Sequence, residues 1–142
     1  MQRKEIKIAR DAAHKRLYEN FKAAGEVPFG LKDKIIFYAG PCPAKSEEVI
    51  GPIGPTTSYR MDKYTDFIYS NGVIATVGKG ERSEEALDII KKHNGKYFVA
   101  QGGIACLLAN CVKSSEIIAF KDLGTEAIRK LYVEKLPLTV VI

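Results

Sequence analysis

The chain has 142 residues, 46% of them hydrophobic and 27% charged, the balance of a soluble globular protein with enough apolar material for one core and one domain. No stretch approaches the roughly 18 consecutive apolar residues that a membrane span needs, so no membrane partner is expected. The formal net charge of +5 points to an anionic partner, yet no RNP-like aromatic motif, helix-turn-helix signature or zinc-finger spacing accompanies it, and nucleic acid is not expected either.

Residues 5–9 alternate, with Ile6 and Ile8 on one side, and predict a short strand. From Asp11 onward Ala13, Leu17, Phe21 and Ala24 recur at helical spacing, with Asp11 the expected N-cap and Gly25 the stop. The segment KIIFYAG at 34–40 is rich in β-branched and aromatic residues and reads as a buried strand. After a polar loop, Met61, Tyr64, Thr65 and Ile68 mark a second helix that ends at Asn71-Gly72. The pattern then repeats with a strand at 73–78, a helix opened by Ser83, Glu84 and Glu85, and a strand at 96–100. Gly102-Gly103 is an expected tight turn, followed by a small-residue helix at 104–113, a strand at 116–120, a short helix at 125–131 and a final strand at 136–142. Strands alternating with helices predict an α/β domain over 1–142, its helices packed on a sheet.

The start, MQRKEIKIAR, is basic but lacks an apolar segment behind it, so a signal peptide is not expected and the chain reads as cytoplasmic. Three cysteines, an odd number, suit a reducing compartment. Cys106 and Cys111 invite a metal reading, but on one helix a spacing of five turns them about 140° apart, too far to grip one ion. Buried structural thiols are the expectation for both and for Cys42. Lys91, Lys92, Arg129 and Lys130 are expected on solvated helix faces.

Chemistry-bearing residues concentrate where strands give way to helices. The stretch GPIGPTTSYRMDKY at 51–64 packs two Gly-Pro steps, three consecutive hydroxyl residues and an arginine into one connection, more special backbone than a turn requires. Arg10 ends the first strand as a helix begins, Arg60 follows Thr56, Thr57 and Ser58, and Lys79 lies in GKGERS between a strand and a helix. Ligands of open α/β sheets bind at such strand ends, and helix N-termini favour anions. Two guanidinium forks and an ammonium suit a small molecule with two carboxylates. The plainer reading is of solvated surface cations and turn hydroxyls. The glycines match neither a dinucleotide fingerprint nor a phosphate-binding loop. His14 lies one turn after Arg10, within reach of the same site, whereas His93 is expected exposed at a helix end.

The stretches YAGPCPAK, GPIGPTTSYRMD, GKGERSEEA and KDLGTEAIRKL resemble the β subunit, or C-terminal domain, of class I iron–sulfur hydro-lyases, the fumarate hydratase and L-tartrate dehydratase group. The resemblance runs from about Ala9 to the C-terminus. It implies a swivelling β/β/α domain of three layers that closes against an α subunit. The α subunit would carry a 4Fe–4S cluster on three cysteines, with one iron open to substrate, and this chain would bind no metal itself. Carried over by position, Arg10, Arg60 and Lys79 are substrate-carboxylate ligands and Thr56 the catalytic base, with Lys79 also serving catalysis. Asp11, His14, Thr57, Arg82 and Ser83 fall within the motifs as supporting residues. The implied reaction is reversible addition of water to fumarate, giving L-malate, in a hetero-oligomer; the isolated chain could self-associate. L-Tartrate dehydration is the alternative within the class, and a non-catalytic anion-binding domain the alternative outside it. Two departures stand out: only nine residues precede Arg10, fewer than family members carry, and Tyr59 stands where fumarases often have glycine.

Overall fold

A computed structural model describes residues 3–25, 30–44, 48–100 and 105–142. In chain order the elements are β1 (Arg3–Ile8), α1 (Asp11–Ala24), β2 (Ile35–Phe37), β3 (Ala39–Pro41), β4 (Ile53–Pro55), a 3-10 stretch (Ser58–Tyr64), α2 (Thr65–Ser70), β5 (Ala75–Gly78), α3 (Glu84–Lys92), β6 (Lys96–Val99), α4 (Ala105–Asn110), β7 (Val112–Ala119), a second 3-10 stretch (Lys121–Glu126), β8 (Ile128–Glu134) and β9 (Thr139–Val140). Seven strands form one mixed sheet in the order β7-β8-β1-β2-β5-β6-β9, while β3 and β4 make a separate two-stranded ribbon. The centre β1-β2-β5-β6 is parallel, and β8 and β9 add antiparallel strands on its two sides.

Period-two alternation divides the apolar residues between the two faces of this sheet. Ile6, Ile8, Ile35, Phe37, Ala75 and Val77 point to one face, where they pack with Ala39 and Ile53 of the ribbon and Leu108 of α4. Ile36 and Tyr97 point to the other, against Ala13 and Leu17 of α1, Phe67, Ile68 and Tyr69 of α2, and Ile90 of α3. Helix α1 stops as its sequence requires: Gly25 turns to φ 68° and donates its N–H to the Phe21 carbonyl at 2.7 Å, a left-handed cap that glycine adopts at little cost.

Several expected elements take a different form. The strand expected at 34–40 divides, because after Phe37 the chain leaves the main sheet and Ala39–Pro41 pairs antiparallel with Ile53–Pro55 from the proline-rich loop. Pro41 and Pro55 lack N–H donors, which keeps that ribbon short. The helix expected at 125–131 is instead strand β8, registered against β1 from Arg3↔Glu134 to Ile8↔Arg129. Ladder pairing on both sides and burial of Ile128, Leu131 and Val133 override the local helical preference of that segment. Arg129 and Lys130 therefore lie on a strand, with Lys130 Nζ 3.3 Å from Glu116. Helix α4 ends at Asn110, so Cys111 lies beyond it and the shared-helix premise for Cys106 and Cys111 does not hold. Strand β7 starts earlier than expected and β9 covers only two residues of 136–142. The Gly102-Gly103 turn lies outside the described residues. Asp11 is not the cap of α1; Arg10 holds that position in extended conformation without a side-chain bond. The Ala12 N–H of the first turn meets Glu126 Oε1 at 3.4 Å instead. Among the described residues no helix is long and apolar enough to cross a membrane.

Candidate active site

Three neighbouring parallel strands end side by side, and each delivers part of one cleft. Arg10 follows β1, Gly40 follows β2 after Tyr38 and Ala39, and Lys79 follows β5. The threonine loop is stitched across these ends by its backbone. Thr56 N–H donates to the Tyr38 carbonyl at 2.6 Å, Lys79 N–H to the Thr56 carbonyl at 3.1 Å, and Ser58 N–H to the Lys79 carbonyl at 2.9 Å. The result is a cleft of about 480 Å³ lined by Arg10, Gly40, Cys42, Thr56, Thr57, Arg60 and Lys79, with Thr125 at its edge. Residues far apart in the chain, singled out as candidate ligands and base, thus share one concave surface at the strand ends.

Two glycines make the approach possible. A Cβ on Gly40 would lie 2.5 Å from Arg10 Cδ and 3.2 Å from its Nη1, so only a bare backbone lets Arg10 lie across β3. A Cβ on Gly78 would overlap Ser58 Oγ, so the Ser58 side chain occupies that space.

The cations differ in their commitments. Arg10 Nε is buried and meets no acceptor among the described residues. Lys79 is exposed, and among the described residues its ammonium forms no ion pair. Arg60, an expected carboxylate ligand, forks its guanidinium onto Asp11, Nε to Oδ2 at 3.1 Å and Nη2 to Oδ1 at 3.1 Å. That pair draws the Asp11 carboxylate away from the cap position of α1. It is half-exposed, so water screens it and it stabilises the fold little.

Thr56 is buried at 5% exposure whereas Thr57 is exposed. Thr57 occupies the N-cap of the 3-10 stretch but makes no side-chain cap bond. His14 is fully buried between the rings of Tyr38 and Tyr64, 5.2 and 5.7 Å away between centroids. Its Nδ1 lies 2.9 Å from the Arg10 carbonyl, which can only accept, so Nδ1 carries the proton. Burial pushes the imidazole down to about 4, against the opposing pull of the Arg10 carbonyl and Asp11. His14 is therefore neutral at pH 7 and anchors the Arg10 backbone without adding charge.

Arg82 and Ser83 stand behind the cleft. The buried Arg82 guanidinium bonds Asp62 at 2.8 Å, Thr65 at 2.7 Å, Thr76 at 3.0 Å and the Tyr38 hydroxyl at 3.1 Å, and lies over the rings of Tyr38 and Tyr97. Ser83 caps α3 by accepting from Ala86 N–H at 3.1 Å, and its own N–H donates to Asp62 Oδ2 at 2.8 Å. The N-terminus of α3, expected to favour a ligand anion, is thus already served by the Asp62 carboxylate. Asp62 is the residue that sequence reasoning missed; its signal was its place in SYRMD, a carboxylate available to the arginine of GKGERS.

A larger hollow of about 700 Å³ lies on the other side of Lys79, among Leu87, Tyr97, Val99 and Val141. Its walls are mainly apolar and its Arg82 is already consumed, so the smaller cationic cleft is the candidate site for a dianion. Cys42, expected buried, is exposed in the wall of that cleft, and Cys111 is half-buried with Sγ 3.5 Å from the Leu107 carbonyl; the Cys106 side chain lies outside the described residues. His93, expected exposed, is half-buried at the end of α3 with Nε2 3.8 Å from Asp66. Among the described residues no group of three or more His, Cys, Asp or Glu side chains is arranged to hold a metal ion, so these residues do not fit an iron–sulfur cluster.

A family model described as "Fumarase C-terminus" matches residues 3–142. The chain is 41% identical over 134 residues to "Fumarate hydratase class I, anaerobic" of Escherichia coli (strain K12), covering 93% of this chain and 24% of that protein. It is 39% identical over 137 residues to "Fumarate hydratase 2" of Leishmania major, covering 95% and 24% respectively. It is also 40% identical over 121 residues to the "Putative L(+)-tartrate dehydratase subunit beta" of Methanocaldococcus jannaschii, covering 83% of this chain and 62% of that protein. The chain therefore spans about a quarter of the two fumarate hydratases and under two thirds of the third relative.

Proposed function

The chain belongs to the fumarase C-terminus family, and from that premise we propose that it is the β subunit, or C-terminal domain, of an iron–sulfur hydro-lyase that adds water reversibly to fumarate. The observation that carries this reading is the convergence of Arg10, Thr56, Arg60 and Lys79 on one cleft at the ends of β1, β2 and β5. A flat dicarboxylate needs opposed cations at its two ends and a proton carrier beside its middle, and this cleft contains both kinds of group.

In this reading Arg10 and Lys79 take one carboxylate and Arg60 the other. Removing a C–H proton beside a carboxylate builds negative charge on that carboxylate, which a fixed ammonium and guanidinium stabilise. Arg10 borders the cleft, and a guanidinium there can take a carboxylate as a fork. Thr56 carries the proton. Its backbone is bonded on both sides, to Tyr38 and Lys79, which fixes the place from which its side chain projects. A threonine hydroxyl is a weak base in water, and the surrounding cations favour its anion. Asp11, His14, Thr57, Arg82 and Ser83 support these groups.

The domain is read as a single swivelling β/β/α unit over 1–142. What supports this is the layering, with α1–α3 on one face of the sheet and the β3-β4 ribbon and α4 on the other. The 4Fe–4S cluster is assigned to an α partner, as the relative named a subunit beta suggests. The free thiols Cys42 and Cys111 suit the cytoplasm. L-Tartrate dehydration is the second reading, favoured by the same relative.

The test is turnover of fumarate and of L-tartrate by the assembled enzyme. Lys79→Met is expected to cost on the order of 2–4 kcal/mol of transition-state stabilisation, by analogy with a lost oxyanion donor. Arg60→Lys keeps the charge but loses the fork and is expected to lower kcat/KM strongly. Near-wild-type turnover in both variants would remove the proposed anion site.

A further inference from the structure

Strand β6 carries Tyr97, which is fully buried and registered against Thr76 of β5. Its hydroxyl lies 2.6 Å from Ser58 Oγ and 2.6 Å from the Gly80 carbonyl. Ser58 closes the threonine loop, two residues after Thr56. Gly80 directly follows Lys79 and turns the chain at φ 80°, a conformation that favours glycine. One phenolic oxygen therefore touches both loops of the cleft at their junction. The ring cannot drift, because the Arg82 guanidinium lies 5.2 Å from its centroid and is itself fixed by Asp62, Thr65 and Thr76. Burial also raises the affinity of the Tyr97 oxygen for its proton, so it remains a donor.

We propose that Tyr97 is a positioning residue for the reaction, its hydroxyl tying Ser58 to Gly80 and so setting the placement of Thr56 relative to Lys79. The proposal rests on the hydro-lyase reading for its effect on catalysis, but not for its effect on the loops. Two backbone bonds join the loops directly, Lys79 N–H to the Thr56 carbonyl and Ser58 N–H to the Lys79 carbonyl. Without the phenol, the hydrogen bonds that remain at Lys79 and Gly80 among the described residues are these two, with the Ala100 N–H to Gly78 carbonyl bond holding the strand end beside them. A misplacement on the order of 1 Å costs up to about a hundredfold in rate.

Tyr97→Phe keeps the ring and its packing and deletes only the tie. Tyr69→Phe is the matched control. The Tyr69 hydroxyl is also buried, bonded to Thr76 at 2.9 Å and to the Lys96 carbonyl at 2.8 Å, yet touches neither loop. Both variants are expected to lower Tm to a similar extent. In the assembled enzyme Tyr97→Phe is expected to lower kcat about tenfold to a hundredfold with KM changed much less, and Tyr69→Phe to stay within about twofold of wild type. Ser58→Ala, which leaves the Gly80 bond, should show part of the Tyr97→Phe loss, and the double variant less than the product of the two. In the full chain alone, amide exchange at Lys79 and Ser58 should quicken about tenfold in Tyr97→Phe and not in Tyr69→Phe. Unchanged exchange at both amides overturns the proposal whether or not the enzyme is a hydro-lyase. So does an active assembled enzyme whose Tyr97→Phe variant loses no more kcat than Tyr69→Phe. If the wild type turns over neither acid, the functional reading fails and the exchange result alone decides the role of Tyr97.

Discussion

The buried imidazole of His14 makes stability depend on pH in a calculable way. An unfolded chain binds the His14 proton near 6.5, whereas the folded chain holds it off until about 4. Between those values the unfolded state binds more protons, so stability falls as pH falls through that window and is fully present above it. The span from 6.5 to about 4, at about 1.4 kcal/mol per pH unit, amounts to about 3 kcal/mol. The groups facing the ring account for the direction: Tyr38 and Tyr64 exclude water, Arg82 opposes the charge, and Asp11 and the Arg10 carbonyl recover only part of the loss. Urea unfolding at a series of pH values between 7.5 and 4 reads this as a midpoint that drops by on the order of 1–3 M. His14→Asn places an amide N–H where Nδ1–H stood and cannot titrate, so its midpoint should fall by correspondingly less. Glu5 and Asp122, both held below their ordinary carboxylate values by lysine and arginine partners, add acid lability in wild type and variant alike and cancel in the difference. Parallel curves for wild type and His14→Asn would refute the reasoning, because they would mean that His14 titrates normally in the fold.

Thr56→Ala should abolish turnover in the assembled enzyme while leaving the fold intact; Thr57→Ala should leave Tm nearly unchanged, since the Thr57 hydroxyl caps nothing. Thermal melts and steady-state kinetics of both variants check this, and a dead Thr57→Ala beside an active Thr56→Ala would move the base by one residue. Gly40→Ala forces its methyl against Arg10 Cδ, so dicarboxylate affinity measured by calorimetry should fall several-fold while the far-ultraviolet circular dichroism stays unchanged. Cys42 is exposed in the cleft wall, so saturating succinate should slow its alkylation, read by peptide mass mapping, without slowing that of Cys111.

The parts of this chain that were legible in advance are those whose cause is local. Ile6 and Ile8 announce β1 by period two, Ala13 and Leu17 announce α1 by helical period, and Ser83 with its following glutamates announces the start of α3. Arg10, Thr56, Arg60 and Lys79 were legible as candidates because cations and hydroxyls at strand ends have a common chemical use. What was not legible depends on distant partners. The segment 128–134 is a strand only because β1 and β7 flank it. The ribbon exists because Ala39–Pro41 finds Ile53–Pro55 across a loop. Arg82 is legible as a supporting residue by its motif, but what it holds emerges only when Asp62, Thr65, Thr76 and two tyrosine rings close around it. Asp11 reads as a cap until Arg60, forty-nine residues away, claims its carboxylate.

Fumarate hydration by this chain combined with a cluster-bearing α subunit tests the central claim most directly. The expected result is formation of L-malate by the mixture, none by either chain alone, and a rate that collapses when Thr56→Ala or Lys79→Met replaces the wild type. A mixture inactive on both fumarate and L-tartrate, or an α subunit equally active without this chain, would contradict it.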